Sequence, residues 1–313
     1  MSGSGTAATS PRFEHAATFY AGAEGALGAC LGFVREGVQQ GEPVLVALAP
    51  DRNEALRRAL DADTDLVEFV DMTELGRNPA RIIPRWQAFV AESGGSGSVR
   101  GIGEPAWPGR SEDGYVEASL HEGLLNLAFD NGRPWRLMCP YDLTALPAEV
   151  LEEARRTHPV VLDEPLGGSA YAGHGHAQRA FAAALRAAPD DAAEVEFDGA
   201  ELPVVRAMVL RFAEASRLAA AAAEDLALAV HELATNSVRH GGGRGSLHLW
   251  NEPDGVVVEV RDRGHIRDPL VGRHLPSLTQ EGGRGVFMAN QLCDLMQTRS
   301  TEHGTQVRVR MAL

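Results

Sequence analysis

A carboxylate and an amide stand four residues apart in the segment 230–240, at Glu232 and Asn236. If this segment is helical, both side chains project from one face, a turn apart. A carboxylate and an amide oxygen placed in this way can hold a hard cation such as Mg²⁺ or orient a water molecule, as phosphate chemistry requires. The spacing alone is a weak signal, because an ordinary polar helix face has the same pattern.

Three short motifs farther along the chain add groups suited to a nucleotide. Asp262 precedes Gly264 at the end of an apolar run, where a carboxylate can accept a hydrogen bond from an exocyclic amine. The segment 281–287 contains three glycines before an amphipathic stretch, and glycines at a helix N-terminus expose backbone N–H groups to phosphate. Thr305 begins the last apolar run and offers a hydroxyl to Asp262. By itself, the Asp262 motif is better explained as a plain turn, and a lone glycine-rich turn is a weak signal.

The pattern around these motifs predicts the elements that must position them. Helices are expected over 202–215 and 219–240, and three consecutive glycines end the second one. The remaining predicted elements are strands over 194–197, 246–250, 256–261, 296–300 and 307–311, with a helix over 286–292. Helices followed by a largely antiparallel run of strands predict an α/β sandwich.

The first half of the chain alternates between helical and strand-like segments. Strands are expected over 44–48, 66–70, 99–102, 135–139 and 160–162, with helices over 23–40, 52–60, 78–92 and 111–129. The helix over 111–129 is expected to bury one face formed by Val116, Leu120, Leu124 and Leu127. Short apolar strands separated by helices predict a parallel α/β sheet with both faces covered.

A stretch without periodicity separates the two halves. It predicts a linker over 164–179, in which His174 and His176 are expected to be solvated. The expected division is a first domain over 10–163, the linker, and a second domain over 180–313.

Composition excludes several classes of protein. The chain has no lysine, since all 29 of its basic residues are arginine, which excludes a Walker A phosphate loop, a eukaryotic-type protein kinase and Schiff-base enzymes. The net charge of −14 argues against binding to nucleic acid. The charge is uneven, because residues 239–313 hold ten arginines against eight acidic residues. Only this last quarter of the chain is suited to a polyanion such as a nucleotide.

The cysteines and the apolar runs indicate the compartment. Cys30, Cys139 and Cys293 are too few and too far apart for a disulfide framework or a zinc site, which favours a reducing compartment. Apolar runs fall short of the roughly 18 to 20 residues that span a bilayer, and the N-terminal sequence lacks the pattern of a secretory signal. These features predict a cytoplasmic protein.

The order of the four motifs near the C-terminus resembles that of the GHKL, or Bergerat, ATP-binding fold, over about 180–313. Within that superfamily the segment ELATNSVRHG is most similar to the RsbW/SpoIIAB-type anti-sigma factor serine kinases. The resemblance implies ATP and Mg²⁺ as ligands, Glu232 as the general base that polarises a substrate serine, and Asn236 as the Mg²⁺ ligand. The cofactor-binding residues that it implies are Asn236, Arg239, His240, Asp262, Gly264, Gly283, Arg284, Gly285, Val286 and Thr305.

The first half of the chain resembles the MEDS sensory domain, a RecA-like α/β module. The matching segments are 13–15, 41–45, 71–72, 76–79, 100–105 and 139–142. Both halves together are similar to the RsbA-type anti-sigma regulatory proteins, which implies a signal bound by the first domain. His15, Cys30, Cys139 and Tyr141 are candidates to line a ligand site there, although burial in the core is the more ordinary role of the two cysteines.

One residue departs from the GHKL pattern and leaves alternatives open. Ile266 stands where the family has the second glycine of D-x-G-x-G, and its side chain narrows the route past the nucleotide. The first hypothesis is an anti-sigma factor that phosphorylates a serine on an anti-anti-sigma partner of the STAS type. The alternatives are a regulator that binds nucleotide without transferring phosphate, and a sensor histidine kinase. The expected partners are a sigma factor and the STAS-type protein, with neither nucleic acid nor membrane, and homodimerisation is left open.

Overall fold

The computed structural model describes residues 13–94, 97–130, 133–162, 170–276 and 283–313. The N-terminal stretch 1–12, the first part of the expected linker (164–169) and residues 281–282 of the glycine motif lie outside the described residues.

The N-terminal domain is built on a parallel sheet. Among the described residues this sheet has six strands in the order β3-β2-β4-β5-β1-β6, and every neighbouring pair is parallel. Its strands are β1 (Phe13–Tyr20), β2 (Val44–Leu48), β3 (Val67–Asp71), β4 (Val99–Gly103), β5 (Trp135–Asp142) and β6 (Val160–Val161). Its helices are α1 (Gly22–Gln39), α2 (Pro50–Leu60), α3 (Met72–Leu75), α4 (Ile82–Glu92), α5 (Glu112–Ala128) and α6 (Ala148–Thr157). All residues of β2 and β4 are buried, as expected for strands with helices on both faces.

The C-terminal domain places helices against an antiparallel sheet. In the described part of the chain the sheet has five strands in the order β10-β11-β9-β8-β7. They are β7 (Ala193–Asp198), β8 (Arg244–Glu252), β9 (Gly255–Asp262), β10 (Leu295–Thr301) and β11 (Gly304–Ala312), with helices α8 (Leu202–Ala215), α9 (Ala220–His240) and α10 (Arg284–Leu292). The core between the layers contains apolar side chains of α8, α9 and the sheet, such as Val209, Leu226 and Val258. The predicted fold class, two α/β domains of these two kinds, is confirmed.

The helix α5 differs from its prediction. Leu120 and Leu124 are buried as expected, but Val116 is 48% exposed. The buried side of α5 instead includes the polar residues Glu117 and Glu122, which find polar partners inside the protein. The periodicity of the leucines therefore located the helix but not the full extent of its buried surface.

The end of the expected linker is helical. Helix α7 (Gly175–Ala182) begins inside the expected linker segment, and its Ala177 and Phe181 pack into the core of the N-terminal domain. These two apolar side chains stand four residues apart and so form one helix face. His174 is exposed, whereas His176 lies 2.8 Å from Glu153 Oε2. The domain boundaries themselves stay a prediction.

Within the described ranges, no helix is both long and apolar enough to cross a bilayer.

Candidate functional site

A cavity of about 370 Å³ lies in the C-terminal domain between α9, the end of β9 and the start of α10. Its volume is within the range of about 300–1,000 Å³ that is typical of small-molecule sites. Of the residues predicted to bind a cofactor, those that line it are Asn236, His240, Asp262, Gly264, Gly283, Val286 and Thr305. Residues from four separate segments of the sequence therefore converge on one space.

The carboxylate of Asp262 is held in place from two sides. Ser237 Oγ donates a hydrogen bond to its Oδ2 at 2.6 Å, and the backbone N–H of Gly264 donates to its Oδ1 at 2.8 Å. A carboxylate has about four acceptor positions, so this aspartate can accept a further hydrogen bond from a ligand. The sequence analysis missed Ser237, although it lies one residue after Asn236 in the same motif.

Thr305 supports this end of the site differently from the prediction. It pairs with Asp262 along the neighbouring strands β11 and β9, but its Oγ1 donates to the carbonyl oxygen of Gly264 at 2.8 Å. The hydroxyl bonded to the Asp262 carboxylate belongs to Ser237 instead. Thr305 therefore fixes the turn after the aspartate rather than its side chain.

Two glycines let the backbone pass close to Asp262. A Cβ at Gly241, directly after α9, would lie 2.4 Å from Asp262 Cγ, and one at Gly264 would lie 2.6 Å from the carbonyl oxygen of His240. Real Cβ atoms do not approach other atoms so closely, so any side chain at either position would push the end of α9 away from β9. The glycines are therefore required by the contact between these two elements.

Glu232 and Asn236 meet the start of α10 at a third glycine. A Cβ at Gly285 would lie 2.7 Å from Glu232 Oε2 and 3.5 Å from Asn236 Nδ2. Gly283, which precedes α10, has a φ of 75°, in the left-handed region that glycine adopts without strain. The predicted base and the predicted Mg²⁺ ligand thus lie side by side against the turn predicted to bind phosphate.

Other predicted site residues lie apart from the cavity. Glu232, Gly285, Arg239 and Arg284 are absent from the described lining, although the first two adjoin it through Asn236. Arg239 and Arg284 are both exposed. Arg239 precedes His240 in sequence, but one helical residue is a rotation of about 100°, so the two side chains leave α9 in different directions.

Ile266 lines the cavity and also contacts the N-terminal domain. Its backbone N–H donates to Ser300 Oγ at 2.9 Å, and its side chain packs against the N-terminal core together with Leu270 and Val271. Ile266, which departs from the GHKL glycine pattern, therefore lies where the cavity wall meets the core of the N-terminal domain. We call residues 264–276, which follow Asp262 and touch both domains, the docked segment.

A buried carboxylate anchors the docked segment. Glu117 Oε2 accepts a hydrogen bond from Arg273 Nη2 at 3.1 Å, and Glu117 Oε1 accepts one from Arg299 Nη2 of β10. All three residues are at most 4% exposed. Burial lowers the pKa of the Arg273 guanidinium, while the charge of Glu117 opposes this effect. The two arginines of one domain thus depend on one carboxylate of the other.

The far end of α10 is held by the N-terminal domain as well. Arg81 donates to the carbonyl oxygens of Asn290 and Cys293, at 3.0 and 2.6 Å, and Asn78 Nδ2 donates to Asn290 O at 2.9 Å. These carbonyls lie at the C-terminus of the helix, where they have no partner within it. Helix α10 therefore connects the cavity at its N-terminus to the N-terminal domain at its C-terminus.

The candidates for a ligand site in the N-terminal domain do not share one cavity. Cys30 lines a cavity of about 160 Å³ with Tyr20 and Arg52, and burial raises the pKa of its thiol to about 12, so it stays protonated. His15 and Cys139 instead contact each other elsewhere, with 3.5 Å between Nε2 and Sγ. Tyr141 is buried in the core.

A larger cavity in this domain lies between α5, α6 and α7. Its volume is about 700 Å³, and its lining includes Tyr115, Leu120, Val150 and Ala177. The sequence analysis missed it, because α7 was expected to be a linker. One wall of this cavity is formed by α7, the helix that precedes the C-terminal domain in the sequence.

The fold and the site define a two-domain protein in which an α/β domain is joined to a GHKL-like ATPase domain. Comparison with family models agrees with both halves. The model of the MEDS domain (methanogen/methylotroph, DcmR sensory domain) matches residues 14–159, and the model of the histidine kinase-like ATPase domain matches residues 195–311. The chain therefore consists of a MEDS sensory domain followed by a histidine kinase-like ATPase domain. A search of the curated proteins found no match to this sequence.

Proposed function

We propose that this protein is a cytoplasmic partner-switching regulator of a sigma factor. In this proposal its C-terminal domain binds ATP with Mg²⁺ and transfers phosphate to a serine of a STAS-type partner, under the control of the MEDS domain. The observation that supports it most is the convergence of Asp262, Asn236 and the glycine turn before α10 on one cavity. A carboxylate can accept a hydrogen bond from a base, and backbone N–H groups at a helix N-terminus can bind phosphate, so this combination suits a nucleotide.

The residues of the cavity fit an adenine nucleotide. Asp262 would accept a hydrogen bond from the adenine amine, since Ser237 and Gly264 already fix its orientation. Gly241 and Gly264 line the cavity, and because they have no side chains, the end of α9 can lie directly against Asp262. The turn at Gly283 would bind phosphate oxygens through its N–H groups. The hydrogen bonds that Asp262 makes within the protein support the first of these roles.

Phosphoryl transfer needs positioning and charge neutralisation more than covalent chemistry from the protein. Asn236 would hold Mg²⁺, which neutralises charge on the phosphates when it is bound. Glu232, one turn away on α9, would accept the proton of the substrate serine. A general base of this kind contributes roughly 10² to 10⁴ in rate.

Control by the MEDS domain would act through the docked segment. Ile266 and Val271 line the cavity and also pack against the N-terminal core, so a shift of that core alters the wall of the nucleotide site. The signal would be a small molecule in the cavity beside α7, whose lining is mostly apolar.

Incubation of the full chain with ATP, Mg²⁺ and STAS-domain proteins of its host tests the transfer. Intact-mass spectrometry should show one phosphoryl group on a partner with the wild type and at least about 100-fold slower transfer with Glu232→Gln. The matched control is Glu224→Gln, an exposed glutamate on the same helix, which should transfer at the wild-type rate. Equal rates in Glu232→Gln and the wild type would contradict the role of Glu232.

A regulator that binds nucleotide without transferring it is the second candidate. The position of Ile266 favours it, because this side chain occupies part of the cavity wall. Ile266→Gly distinguishes the two hypotheses. If the wild type binds ATP and never phosphorylates a partner, while Ile266→Gly does so, the isoleucine has silenced transfer and the second candidate is correct.

A further inference from the structure

A cluster of four buried side chains in the MEDS domain lies apart from the nucleotide cavity. It consists of His15 on β1, Glu122 on α5, Cys139 on β5 and His158 just before β6, and each is at most 2% exposed. One donor atom from each side chain lies within 4.8 Å of the others. The four residues are far apart in the sequence and are brought together only by the parallel sheet and the helix that covers it.

The ring nitrogens of both histidines have defined roles. Asn126 Nδ2 donates to the carbonyl oxygen of Thr157 at 2.8 Å, so its Oδ1 must be the acceptor for His15 Nδ1, 3.1 Å away. In the same way, His158 Nδ1 lies 2.7 Å from the carbonyl oxygen of Ala154. A carbonyl can only accept, so both Nδ1 atoms hold hydrogens. If the imidazole is neutral, its Nε2 atom then has no hydrogen and offers a lone pair.

Both Nε2 atoms face the same carboxylate oxygen. His15 Nε2 lies 2.8 Å from Glu122 Oε2, and His158 Nε2 lies 3.1 Å from the same oxygen. Cys139 Sγ completes the group at 3.5 Å from His15 Nε2 and 3.6 Å from Glu122 Oε2. With neutral imidazoles, the only hydrogen shared by these four atoms is the thiol proton. Among the described residues, Glu122 Oε1 has no hydrogen-bond partner. His158 Nε2 has none either, because its 3.1 Å approach to Glu122 Oε2 does not have hydrogen-bond geometry.

We propose that His15, Glu122, Cys139 and His158 bind a divalent transition-metal ion, Zn²⁺ in the first place. A cation in the centre would turn three opposed lone pairs and a thiol into four ligands. Binding would release the thiol proton, and the thiolate and the carboxylate would together balance the two positive charges. A buried site of this kind has no net charge to desolvate.

The geometry and the donor types agree with zinc. Zinc lies about 2.0–2.1 Å from imidazole nitrogen and about 2.3 Å from thiolate sulfur, so tetrahedral ligand atoms are about 3.3–3.6 Å apart. Four of the six separations between the ligand atoms are 2.8, 3.1, 3.5 and 3.6 Å, and all six are within 4.8 Å. The edges between the histidines and Glu122 must open by about 0.5 Å to reach the tetrahedral values. Imidazole and thiolate disfavour Mg²⁺ and Ca²⁺, which prefer oxygen ligands.

The surroundings have the features of a metal site beyond the ligands. Metal-binding histidines usually donate the N–H of their other ring nitrogen to a carbonyl or carboxylate. Here Asn126 Oδ1 accepts from His15 Nδ1, and the carbonyl oxygen of Ala154 accepts from His158 Nδ1. Phe13 stacks on His15, and the edge of Tyr141 meets His158, so the cluster is enclosed by aromatic rings. The sequence analysis judged three cysteines too few for a zinc site. In the proposed site, histidine and glutamate supply three of the four ligands, so a cysteine count does not find it.

The test uses the full chain without a histidine tag. Elemental analysis of protein purified without chelators should give about one zinc per chain. After removal of zinc, loading with Co²⁺ should produce the thiolate-to-cobalt charge-transfer absorption. Cys139→Ser should abolish that absorption, and His15→Gln should lower Co²⁺ affinity at least about tenfold. The matched control is Cys30→Ser, a buried cysteine of the same domain outside the cluster, which should keep the absorption.

X-ray absorption of the zinc-loaded wild type keeps the proposal testable if the variants do not fold. It should show one sulfur and three nitrogen or oxygen ligands. Wild-type protein that neither contains zinc nor gives the cobalt absorption would overturn the proposal. A metal that Cys139→Ser retains with an unchanged spectrum would overturn it as well.

Discussion

The guanidinium of Arg273, on the docked segment beside the nucleotide cavity, lies 3.1 Å from the buried carboxylate of Glu117 on α5 of the MEDS domain. The same carboxylate binds Arg299, so one side chain compensates two buried cations. The contact joins the MEDS domain to the segment that lines the cavity of the ATPase-like domain. It acts together with the contacts that Asn78 and Arg81 make with the C-terminal end of α10.

Replacing Glu117 by glutamine should therefore destabilise the protein severely. The variant leaves Arg273 and Arg299 buried without a counter-charge, and breaking a buried pair from one side costs about 3–5 kcal/mol. Thermal unfolding followed by calorimetry measures the effect. Glu112→Gln, an exposed residue of the same helix, is the control and should unfold like the wild type. A Glu117→Gln protein with an unchanged unfolding temperature would show that the contact contributes little.

Replacing Ser237 by alanine should weaken ATP binding about tenfold, because a hydrogen bond to a charged group contributes about 1.5–3 kcal/mol. Its hydroxyl donates to Asp262 Oδ2 at 2.6 Å and would hold this carboxylate in place for the adenine amine of the proposed ligand. Isothermal titration calorimetry with the full chain measures the change. Thr235→Ala, two residues earlier on α9 and outside the cavity lining, should keep wild-type affinity. If both variants bind alike, the hydroxyl has no part in recognition.

Replacing Gly285 by alanine should separate binding from transfer. The new Cβ would meet Glu232 Oε2 at 2.7 Å, and a flexible side chain can move away at little cost in stability. The predicted base would then be displaced, so phosphoryl transfer should fall at least about 100-fold while ATP still binds. Transfer to the STAS-type partner and calorimetric binding are measured on the same protein. Gly32→Ala on α1, where a Cβ meets no atom within 4 Å, should change neither quantity. Undiminished transfer in Gly285→Ala would remove Glu232 from the proposed mechanism.

Much of the fold could be predicted from local patterns. The helix over 202–215 and the strand over 44–48 match α8 and β2 to the residue, because each has clear periodicity or an unbroken apolar run between turn residues. Strand β1 was not predicted: its sequence, FEHAATFY, mixes small, polar and aromatic residues without alternation. Its neighbours β5 and β6 and the covering helices determine its burial, and these contacts lie more than a hundred residues away.

The candidate site was predicted to a similar degree. The order of motifs located Asn236, Asp262 and the turn at Gly283, which line one cavity. The role of Ser237 and the contact of Ile266 with the other domain depend on three-dimensional neighbours that no spacing reveals. The same holds for Glu122 and His158, which join His15 and Cys139 only in the folded chain.

Nucleotide selectivity of the full chain tests the central claim most directly. With Mg²⁺ present, the wild type should bind ATP and discriminate against GTP, because Asp262 would accept from the adenine amine, which guanine lacks at that position. Asp262→Asn should bind ATP at least about tenfold more weakly and lose the discrimination, whereas Asp191→Asn, an exposed control, should keep both properties. A wild-type protein that binds neither nucleotide, or an Asp262→Asn variant with unchanged affinity and selectivity, would contradict the account.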